Sequence, residues 1–383
     1  MKKIVFVFLV IFSLNIISVS ANEDVVPNAK SAILIEASTG KVLFEKNIDE
    51  KYAPASMTKM MSLLLIMENI DNRNLRMDEM IRVSKYASSM GGSQIFLEEN
   101  EEMSVEDLLK GITIGSANDA TVALAERIGG NEASFVEMMN KKAVELGLKN
   151  TSFKNTTGLD EANHYSTAHD MAIIAKELVK HEKILEFSSI YETYLRTDTE
   201  DKFWLVNTNK LVRFYPGVDG LKTGYTEEAG YCLTATINKD NMRLIAVVMG
   251  EPSSNIRNSE MSTLLDYGYN LWQREVYVTP DEIIDTVQVE KGVEESANIV
   301  VMDDVSTVNK KGHKMGEITY ELDVKNIKAP VKKGDVVGNL TIKEDGKIIS
   351  NVDVTVEKSV DKAGFFTMYF RYLKDIIGFK IKK

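Results

Sequence analysis

The sequence of 383 residues contains one cysteine, Cys232, and only four histidines. A single cysteine cannot form a disulfide bond within the chain, so the stability of the folded state depends on its hydrophobic core. The histidines form no His-Glu-x-x-His motif and no Cys-x-x-Cys pair is present, which argues against a zinc site. We therefore expect a protein without a metal ion or any other cofactor.

Basic residues are fewer than acidic residues. The chain has 46 lysines and arginines against 57 aspartates and glutamates, and its formal net charge is −11. Nucleic-acid phosphates attract clustered lysine and arginine, so we expect no nucleic-acid partner. A hydrophobic content of 44% and a charged content of 27% indicate a globular protein. The length is typical of two domains, or of one large and one small domain.

The N-terminus has the three parts of a secretory signal peptide. Two lysines follow Met1, residues 4–17 form an apolar run that only Ser13 and Asn15 interrupt, and the run ends at residues 19–21 in a plausible cleavage site. The run is shorter than the roughly 20 residues that span a bilayer, which argues against the alternative of a permanent anchor. We expect cleavage after Ala21 and a mature protein that works outside the cytoplasm.

The C-terminus is also unusual, because residues 365–379 carry aromatic and aliphatic side chains at helical spacing. Projected at 100° per residue, these side chains lie on one face: Phe366, Tyr369, Phe370, Leu373, Ile376 and Ile377. Residues 361–383 contain six basic and two acidic residues, a balance of +4 in an otherwise acidic chain. This pattern favours a helix lying flat on an anionic membrane surface, and a helix packed on a neighbouring domain is the alternative.

The middle of the chain predicts an α/β (α+β) domain with an antiparallel sheet. Hairpin patterns occur at residues 31–46 and 231–249, and residues 105–180 have mainly helical periodicity. We expect the distant hairpins to meet in one sheet that helices flank. From about residue 276, short alternating strands indicate a small all-β domain. The expected organisation is a signal peptide at 1–21, the sheet-and-helix domain at 22–275, the β domain at 276–358 and an amphipathic helix at 359–383.

Ser56 and Lys59 form a Ser-x-x-Lys motif before a run, residues 60–67, that is apolar apart from Ser62. Positions i and i+3 share a helix face, so the hydroxyl and the amine are expected to lie close together. Burial favours the neutral form of a lysine and lowers its pKa, which makes Lys59 a candidate base for the nucleophile Ser56. The string is common, however, and an ordinary helix start with a solvated lysine is the alternative.

Two further motifs follow. Ser116-Ala117-Asn118 lies between two predicted helices, where serine and asparagine are also ordinary caps. In Lys222-Thr223-Gly224, the lysine would attract a carboxylate, and the glycine would allow a substrate backbone to approach closely. Each string alone is weak evidence, but Ser-x-x-Lys, Ser-x-Asn and Lys-Thr-Gly together are the set found in β-lactamases and penicillin-binding proteins. They occur here in that order, 60 and then 106 residues apart.

These motifs and their neighbours resemble the low-molecular-weight penicillin-binding proteins, in particular the D-alanyl-D-alanine carboxypeptidases of peptidase family S11. The resemblance covers about residues 25–275 and is strongest at 54–61, 116–120, 164–171 and 217–226. It implies a catalytic domain of the serine β-lactamase and penicillin-binding-protein fold class. It also implies removal of the terminal D-alanine from peptidoglycan stem peptides, covalent inhibition by β-lactams, and a location on the outer face of the cell membrane.

The resemblance further implies a role for each residue of the first two motifs. Ser56 is expected to attack the carbonyl group between the two terminal D-alanines and to form an acyl-enzyme. Lys59 is expected to accept the proton of the serine. Ser116 would pass a proton to the leaving D-alanine, and Asn118 would hold the acyl side chain. Water would then release the shortened peptide.

The third motif is expected to bind the terminal carboxylate through Lys222 and Thr223. The backbone N–H groups of Ser56 and Tyr225 are expected to form the oxyanion hole. Some relatives carry an arginine before this motif, where this chain has Thr208, and a histidine directly after it, where this chain has Tyr225. Carboxylate binding is therefore expected to depend more heavily on Lys222.

Four other functions are less well supported. A DD-endopeptidase that cuts peptide crosslinks uses the same chemistry and stays open at this point. A class A β-lactamase needs a Glu-x-x-Leu-Asn segment, which does not occur between Ser116 and Lys222. A Ser-His-Asp hydrolase needs a Gly-x-Ser-x-Gly elbow, which Ser56 lacks, and we expect His164 and His169 to have structural roles. A wall-binding scaffold with a dead site is disfavoured by the complete set of motifs.

Overall fold

The computed structural model describes residues 24–280 and 282–379, with side chains as far as residue 374. The predicted signal peptide at residues 1–21 lies outside the described residues. The strands of the catalytic region are β1 (Ser31–Glu36), β2 (Val42–Lys46), β3 (Met80–Arg82), β4 (Glu102–Ser104), β5 (Glu192–Leu195), β6 (Phe203–Val206), β7 (Val218–Thr226), β8 (Gly230–Lys239) and β9 (Met242–Glu251). The later strands are β10 (Trp272–Val278), β11 (Asp285–Glu290), β12 (Ser296–Val301), β13 (Val305–Lys310), β14 (Ile318–Val324), β15 (Ile327–Lys328), β16 (Gly338–Glu344) and β17 (Lys347–Val356).

The helices lie mostly between β2 and β10. A short 3-10 helix, Ala55–Thr58, leads directly into α1. The α-helices are α1 (Lys59–Asp71), α2 (Lys85–Ser88), α3 (Val105–Gly115), α4 (Asn118–Gly129), α5 (Glu132–Glu145), α6 (Ala168–Leu178), α7 (Lys183–Ser188), α8 (Leu211–Phe214), α9 (Ser254–Leu271) and α10 (Phe365–Phe379).

Five strands from the two ends of the catalytic region form one antiparallel sheet, with the order β2-β1-β9-β8-β7. Successive side chains of a strand point to opposite faces, and both faces of this sheet are covered. Ile33 and Ile35 of β1 belong to the hydrophobic cluster on the side of α1 and α6, whereas Leu34 belongs to the cluster on the side of α9. The predicted sheet, closed by distant segments and flanked by helices, is thus confirmed.

Helix α1 has no polar face because it lies inside the domain. Every residue from Lys59 to Met67 is buried, and the helix packs against α4, α5 and α6. A helix that is apolar all round is expected only in such a position. The consequence for the first motif is that Lys59, at the start of α1, is removed from water.

The residues after α9 form the expected β structure. A six-stranded sheet has the order β14-β16-β17-β12-β11-β15, and β10 pairs separately with β13. Alternating apolar side chains of β12, β16 and β17 fill its core. Strand β10 runs through the predicted domain boundary between residues 275 and 276, so the position of that boundary stays a prediction.

Helix α10 covers the residues whose periodicity predicted it. Five aromatic side chains in its described part are exposed: Phe365, Phe366, Tyr369, Phe370 and Tyr372. On the other side, the guanidinium of Arg371 donates hydrogen bonds to the carbonyl oxygens of Gly292 (2.9 Å) and Val293 (2.6 Å) and pairs with Glu295 at 2.6 Å. The helix therefore contacts the β domain through its polar side. None of the helices described here is long and apolar enough to cross a membrane.

A glycine in the loop before α6 allows the 3-10 helix to lie where it does. Gly158 has a φ of +84°, and a Cβ atom added to it would come within 1.8 Å of the carbonyl oxygen of Ala55 and 2.8 Å of Thr58 Oγ1. A backbone atom at that distance cannot move aside without shifting the 3-10 helix. The close contact between this loop and the 3-10 helix therefore requires glycine.

We expect Gly158→Ala to lower the melting temperature more than Gly147→Ala does. Gly147 also has a positive φ, +71°, but nothing lies within 4 Å of the Cβ that it would gain. The control substitution therefore costs only the left-handed strain, about 1–2 kcal/mol. An additional clash of about 2 kcal/mol at Gly158 would lower Tm by a further 4–8 °C or so in thermal unfolding. Equal shifts for the two variants would contradict the packing argument.

Candidate functional site

The first motif brings a hydroxyl and an amine together. Ser56 lies in the 3-10 helix and Lys59 is the first residue of α1. A 3-10 helix has three residues per turn, so residues three apart eclipse one another. Lys59 Nζ lies 3.1 Å from Ser56 Oγ and 2.7 Å from the carbonyl oxygen of Thr157.

The environment of Lys59 favours the neutral amine. The side chain is fully buried, and burial, together with the positive charge of Lys222, lowers the pKa of Lys59 well below its ordinary value, although Asp119 opposes the shift. A neutral amine has one lone pair and two N–H groups. It can donate one hydrogen bond to Thr157 and accept the proton of Ser56, which is what a general base must do.

The second motif lies at the junction of α3 and α4. Ser116 has a left-handed backbone, with φ +64°, and ends α3, while Asn118 begins α4. Both side chains are buried, yet Ser116 Oγ and Asn118 Oδ1 have no hydrogen-bond partner among the described residues. Buried polar atoms are rarely left without a partner. Capping therefore does not account for these two side chains, and both atoms are free to bind a ligand.

A buried carboxylate fixes the segment that faces this junction. Asp119 accepts hydrogen bonds from the backbone N–H groups of Ile95 (3.1 and 3.2 Å) and Leu97 (3.0 Å). The adjacent Asn118 donates from its backbone to Ser93 O at 2.7 Å and from its side-chain amide to a carbonyl oxygen, that of Gly91, also at 2.7 Å. Because its amide group is held in this way, the free Oδ1 atom has a fixed direction. Sequence reasoning assigned no role to Asp119.

The third motif lies on β7, the edge strand of the five-stranded sheet, which pairs only with β8. One face of β7 packs against the 3-10 helix. A Cβ atom on Gly224 would come within 2.8 Å of Pro54 O and 3.3 Å of Met57 N. The close approach that the sequence suggested for a substrate is made here by the protein's own backbone. It brings the residue that follows, Tyr225, beside the helix that carries Ser56.

Lys222 is as deeply buried as Lys59. Its Nζ atom donates to the carbonyl oxygen of Thr223 at 3.0 Å. Burial, together with the positive charge of Arg257, lowers the pKa of Lys222 to about 7. Arg257 belongs to α9, which the sequence did not connect with the site. Arg257 thus adds a second positive group beside Lys222 in this part of the site.

Thr208 occupies the position where some relatives were expected to carry arginine. Its Oγ1 atom accepts a hydrogen bond of 2.8 Å from Thr223 Oγ1, so the substitution leaves a neutral contact beside the third motif. The neighbouring side chain of Asn209 donates to Gly220 O at 2.9 Å and ties this segment to β7. Tyr225 is half-exposed and packs against Tyr231, with ring centroids 4.3 Å apart and the ring planes tilted by 33°.

His164 contacts the site indirectly. Its Nδ1 atom accepts a hydrogen bond from the backbone N–H of Lys154 at 3.1 Å, so the proton of the neutral ring lies on Nε2, which donates to Thr58 Oγ1 at 2.8 Å. Burial lowers the pKa of His164 to about 4, which keeps the ring neutral at pH 7. The ring therefore supports the 3-10 helix through Thr58. The hydroxyl group of Ser56 is hydrogen-bonded to Lys59 instead.

We expect the stability of the protein to fall as the pH is lowered from about 6.5 to about 4. In this range His164 becomes protonated in the unfolded chain, where its pKa is about 6.5, but stays neutral in the folded protein. The unfolded state then binds more protons and is favoured, by roughly 3 kcal/mol at pH 4 and below. Urea unfolding should show a weaker pH dependence for His164→Gln, which retains a donor for Thr58 but does not titrate.

The matched control is His169→Gln, because His169 is a partly exposed histidine at the start of α6. It should keep the pH dependence of the parent. A parent-like slope in His164→Gln would contradict the role assigned to the buried ring.

Two protein-family models match the chain. The model described as D-alanyl-D-alanine carboxypeptidase, peptidase S11, matches residues 18–253. The model described as the C-terminal domain of penicillin-binding protein 5 matches residues 273–362. Between them they cover the sheet-and-helix region and the β structure that follows it.

Curated relatives and solved structures are similar over most of this chain. D-alanyl-D-alanine carboxypeptidase DacF of Bacillus subtilis (strain 168) is 51% identical over 353 residues, which cover 92% of this chain and 91% of the relative. The corresponding enzyme DacC of Escherichia coli (strain K12) is 35% identical over 347 residues, 88% of this chain and 86% of the relative. Penicillin-binding protein 5 from Haemophilus influenzae superposes with a TM-score of 0.70 at 34% identity. The match covers 88% of this chain and 98% of that protein's chain.

A structure with a bound β-lactam is also similar. Penicillin-binding protein D2 from Listeria monocytogenes, in its ampicillin-bound form, superposes with a TM-score of 0.57 at 30% identity. The match covers 63% of this chain and 98% of that one.

Proposed function

Because this chain belongs to the D-alanyl-D-alanine carboxypeptidase family S11, we propose that Ser56 forms the acyl-enzyme of that reaction. The protein is a penicillin-binding serine hydrolase that removes the terminal D-alanine from peptidoglycan stem peptides. The observation that carries the assignment of Ser56 is the 3.1 Å contact between its Oγ atom and the buried amine of Lys59. An exposed serine without such a partner would be a weak nucleophile.

Acylation begins with proton transfer from Ser56 Oγ to the lone pair of Lys59 Nζ. Oγ attacks the carbonyl carbon of the bond between the two D-alanines, and the carbonyl oxygen becomes negative. The backbone N–H groups of Ser56 and Tyr225 then stabilise the oxyanion. The packing of Gly224 against the 3-10 helix, with its Cβ position 3.3 Å from Met57 N, supports this pairing of two distant segments.

Release of D-alanine needs a proton on the leaving nitrogen as the C–N bond breaks. We assign its delivery to Ser116, whose buried hydroxyl has no partner among the described residues: the hydroxyl gives its proton to the nitrogen and takes up the proton that Lys59 accepted from Ser56, so that both groups return to their starting state. Asn118 Oδ1, also without a partner, accepts a hydrogen bond from an amide N–H of the acyl part. A water molecule then attacks the ester at Ser56, which releases the shortened peptide and restores the hydroxyl.

Lys222 and Thr223 bind the terminal carboxylate of the substrate. A Lys222 amine with a pKa near 7 is only partly charged in the empty site, and a bound carboxylate favours its charged form. Substrate binding is therefore coupled to uptake of a proton by Lys222. Burial is the main reason that Lys59 favours its neutral form, and the charge on Lys222 acts in the same direction in the empty site.

The test of the assignment is release of free D-alanine from a soluble peptide that ends in Lys-D-Ala-D-Ala. Residues 22–358 should release D-alanine, and Ser56→Ala should reduce the rate at least about a thousandfold, because it removes the nucleophile. Labelled penicillin should acylate the parent only. Release by the Ser56→Ala variant at the parent rate would overturn the assignment.

The same experiment addresses the second candidate function. An endopeptidase that cuts crosslinks would be acylated by penicillin at Ser56 but would release no D-alanine from the soluble peptide. That result would support Ser56 as the nucleophile but would identify a peptide crosslink, rather than a free peptide end, as the substrate.

The enzyme works outside the cytoplasm because its substrates are peptides of the cell wall. We propose that α10 holds it on the outer face of the membrane. Three features support this. The aromatic side of α10 faces solvent, residues 361–383 have a balance of +4, and the polar side of the helix is occupied by the contacts of Arg371 with the β domain. An exposed apolar face beside basic residues is typical of helices that bind an anionic lipid surface.

Removal of residues 365–383, which begin with α10, should abolish sedimentation of the mature protein with vesicles of phosphatidylglycerol, while leaving D-alanine release from the soluble peptide unchanged. Residues 359–364 are retained because Val360 lies in the core of the β domain. Phe366→Ser with Phe370→Ser should weaken sedimentation strongly, because burial of an aromatic side chain is worth about 1.5–3 kcal/mol. Ile348→Ser, an exposed apolar residue of β17, is the control and should have no effect. Unchanged sedimentation of the truncated protein would refute the anchor.

A further inference from the structure

The hairpin formed by β5 and β6 has two faces of different character. In the antiparallel register, Tyr194 pairs with Trp204, and both side chains are more than half exposed, at 53% and 56%. On the other face, Leu195 and Leu205 are buried, and Leu205 lies against Gly115 at the end of α3. The inner face thus packs on the helix that leads to Ser116, and the outer face presents a cross-strand aromatic pair to solvent.

The outer face continues beyond the hairpin. Glu192, two residues before Tyr194 and therefore on the same face, lies 4.0 Å from Arg213. The guanidinium of Arg213 lies 4.8 Å from the ring centroid of Tyr191 and 5.8 Å from that of Phe214. Phe214 is 67% exposed. We call the resulting surface the hairpin platform; it consists of Tyr191, Glu192, Tyr194, Trp204, Arg213 and Phe214.

The hairpin platform contributes little to the stability of the fold. An exposed cross-strand aromatic pair contributes only about 0.2–1 kcal/mol. Single exposed apolar residues are ordinary, but a contiguous exposed patch usually marks a binding site. The charges of the platform are also partly satisfied, because Arg213 pairs with Glu192 and lies over two rings. The surface therefore offers aromatic area with a few hydrogen-bonding groups, which suits an uncharged polar ligand.

The platform is continuous with the active site. The hairpin contacts the segment that faces the second motif: Arg196 donates a hydrogen bond to Ile95 O at 3.0 Å, and Phe203, the residue before Trp204, packs edge-on against Phe96 with ring centroids 5.7 Å apart. Asp119 fixes this segment, and the adjacent Asn118 is the residue assigned to the acyl part of the substrate. Four residues of a stem peptide separate the scissile bond from the sugar strand of peptidoglycan. When extended, these four residues span about 14 Å. A polymer whose stem peptide occupies the active site therefore has saccharide within reach of the platform.

We propose that the hairpin platform binds the glycan strand of peptidoglycan while a stem peptide occupies the active site. The proposal rests on the function proposed above, because the saccharide reaches the platform only as part of the wall polymer on which the enzyme acts. The rings of Tyr194 and Trp204 pack against the C–H faces of pyranose rings. Glu192 and Arg213 provide an acceptor and donors for hydroxyl and acetamido groups. The platform thereby favours the intact polymer over a free peptide.

The first experiment compares two substrates for the full mature chain. Trp204→Ala and Tyr194→Ala should leave kcat/KM on soluble Lys-D-Ala-D-Ala unchanged, because neither residue touches the peptide. On insoluble peptidoglycan that is rich in pentapeptides, each should lower the rate of D-alanine release about fivefold, the loss of about 1 kcal/mol of aromatic contact. Tyr320→Ala, an equally exposed tyrosine of β14 in the β domain, is the matched control and should behave as the parent on both substrates.

The second experiment measures binding directly. Trp204 is one of two tryptophans, so titration with peptide-free glycan strands, released by an amidase, should change the tryptophan emission of the parent and of Tyr320→Ala. Trp204→Ala should show no change, since Trp272 lies at the start of β10. The glycan carries no stem peptide, so this result does not depend on activity at Ser56.

Three results would overturn the proposal. Equal loss on the soluble and insoluble substrates would mean that the aromatic pair only supports the fold of the site. An absent emission change with glycan strands in the parent would exclude a saccharide ligand. Loss of sedimentation with phosphatidylglycerol vesicles in Trp204→Ala, with unchanged activity on the polymer, would assign the platform to the membrane. Failure of the parent to release D-alanine from any substrate would overturn the proposed function instead.

Discussion

A lysine amine without access to water is the constraint on which the site depends. Taking an ammonium group out of water costs several kcal/mol, so burial lowers the pKa of Lys59 and favours its neutral form. A buried neutral amine still needs polar partners, and here they are Thr157 O and Ser56 Oγ. The apolar packing of α1, which serves the core, therefore also determines the protonation state on which nucleophilic attack depends.

The electrostatics of the site differ from those of the whole chain. The chain has a formal charge of −11, but Lys59, Lys222 and Arg257 lie close enough to influence one another. Their mutual repulsion is relieved either by loss of a proton or by arrival of an anion. In the function proposed above, the terminal carboxylate of the peptide supplies that anion at the third motif. Local potential rather than net charge would then favour a substrate with a free C-terminus.

Much of the fold and of the set of side chains in the site could be predicted from the sequence. The hairpin patterns located the sheet, and the apolar run predicted a buried α1. The first motif is the pair that the structure shows in contact, whereas the roles of the second and third motifs stay predictions. The contributions of Thr157 and of the 3-10 helix were missed because they use backbone atoms, which have no side-chain pattern. His164 was predicted to be structural, but its bond to Thr58 joins residues 106 positions apart, and such a pairing is visible only after folding.

Register is the other property that the sequence left undetermined. Tyr194 and Trp204 occur in a stretch that the helical and strand patterns did not resolve, and only the pairing of β5 with β6 places them on one face. The domain boundary at residue 275 is undetermined for a related reason. Strand β10 follows α9 without a break, so no composition change marks the transition.

The position of β7 at the edge of its sheet has a consequence for the behaviour of the protein in a crowded wall. A free edge is a template for any extended chain, and long exposed edges lead to aggregation. Here the 3-10 helix covers one face of β7 so closely that Gly224 has no room for a side chain. The strand pairs with β8 on one side, so its other side is where an extended peptide could add. An extended segment of a neighbouring wall protein would therefore compete with the substrate for the same backbone groups.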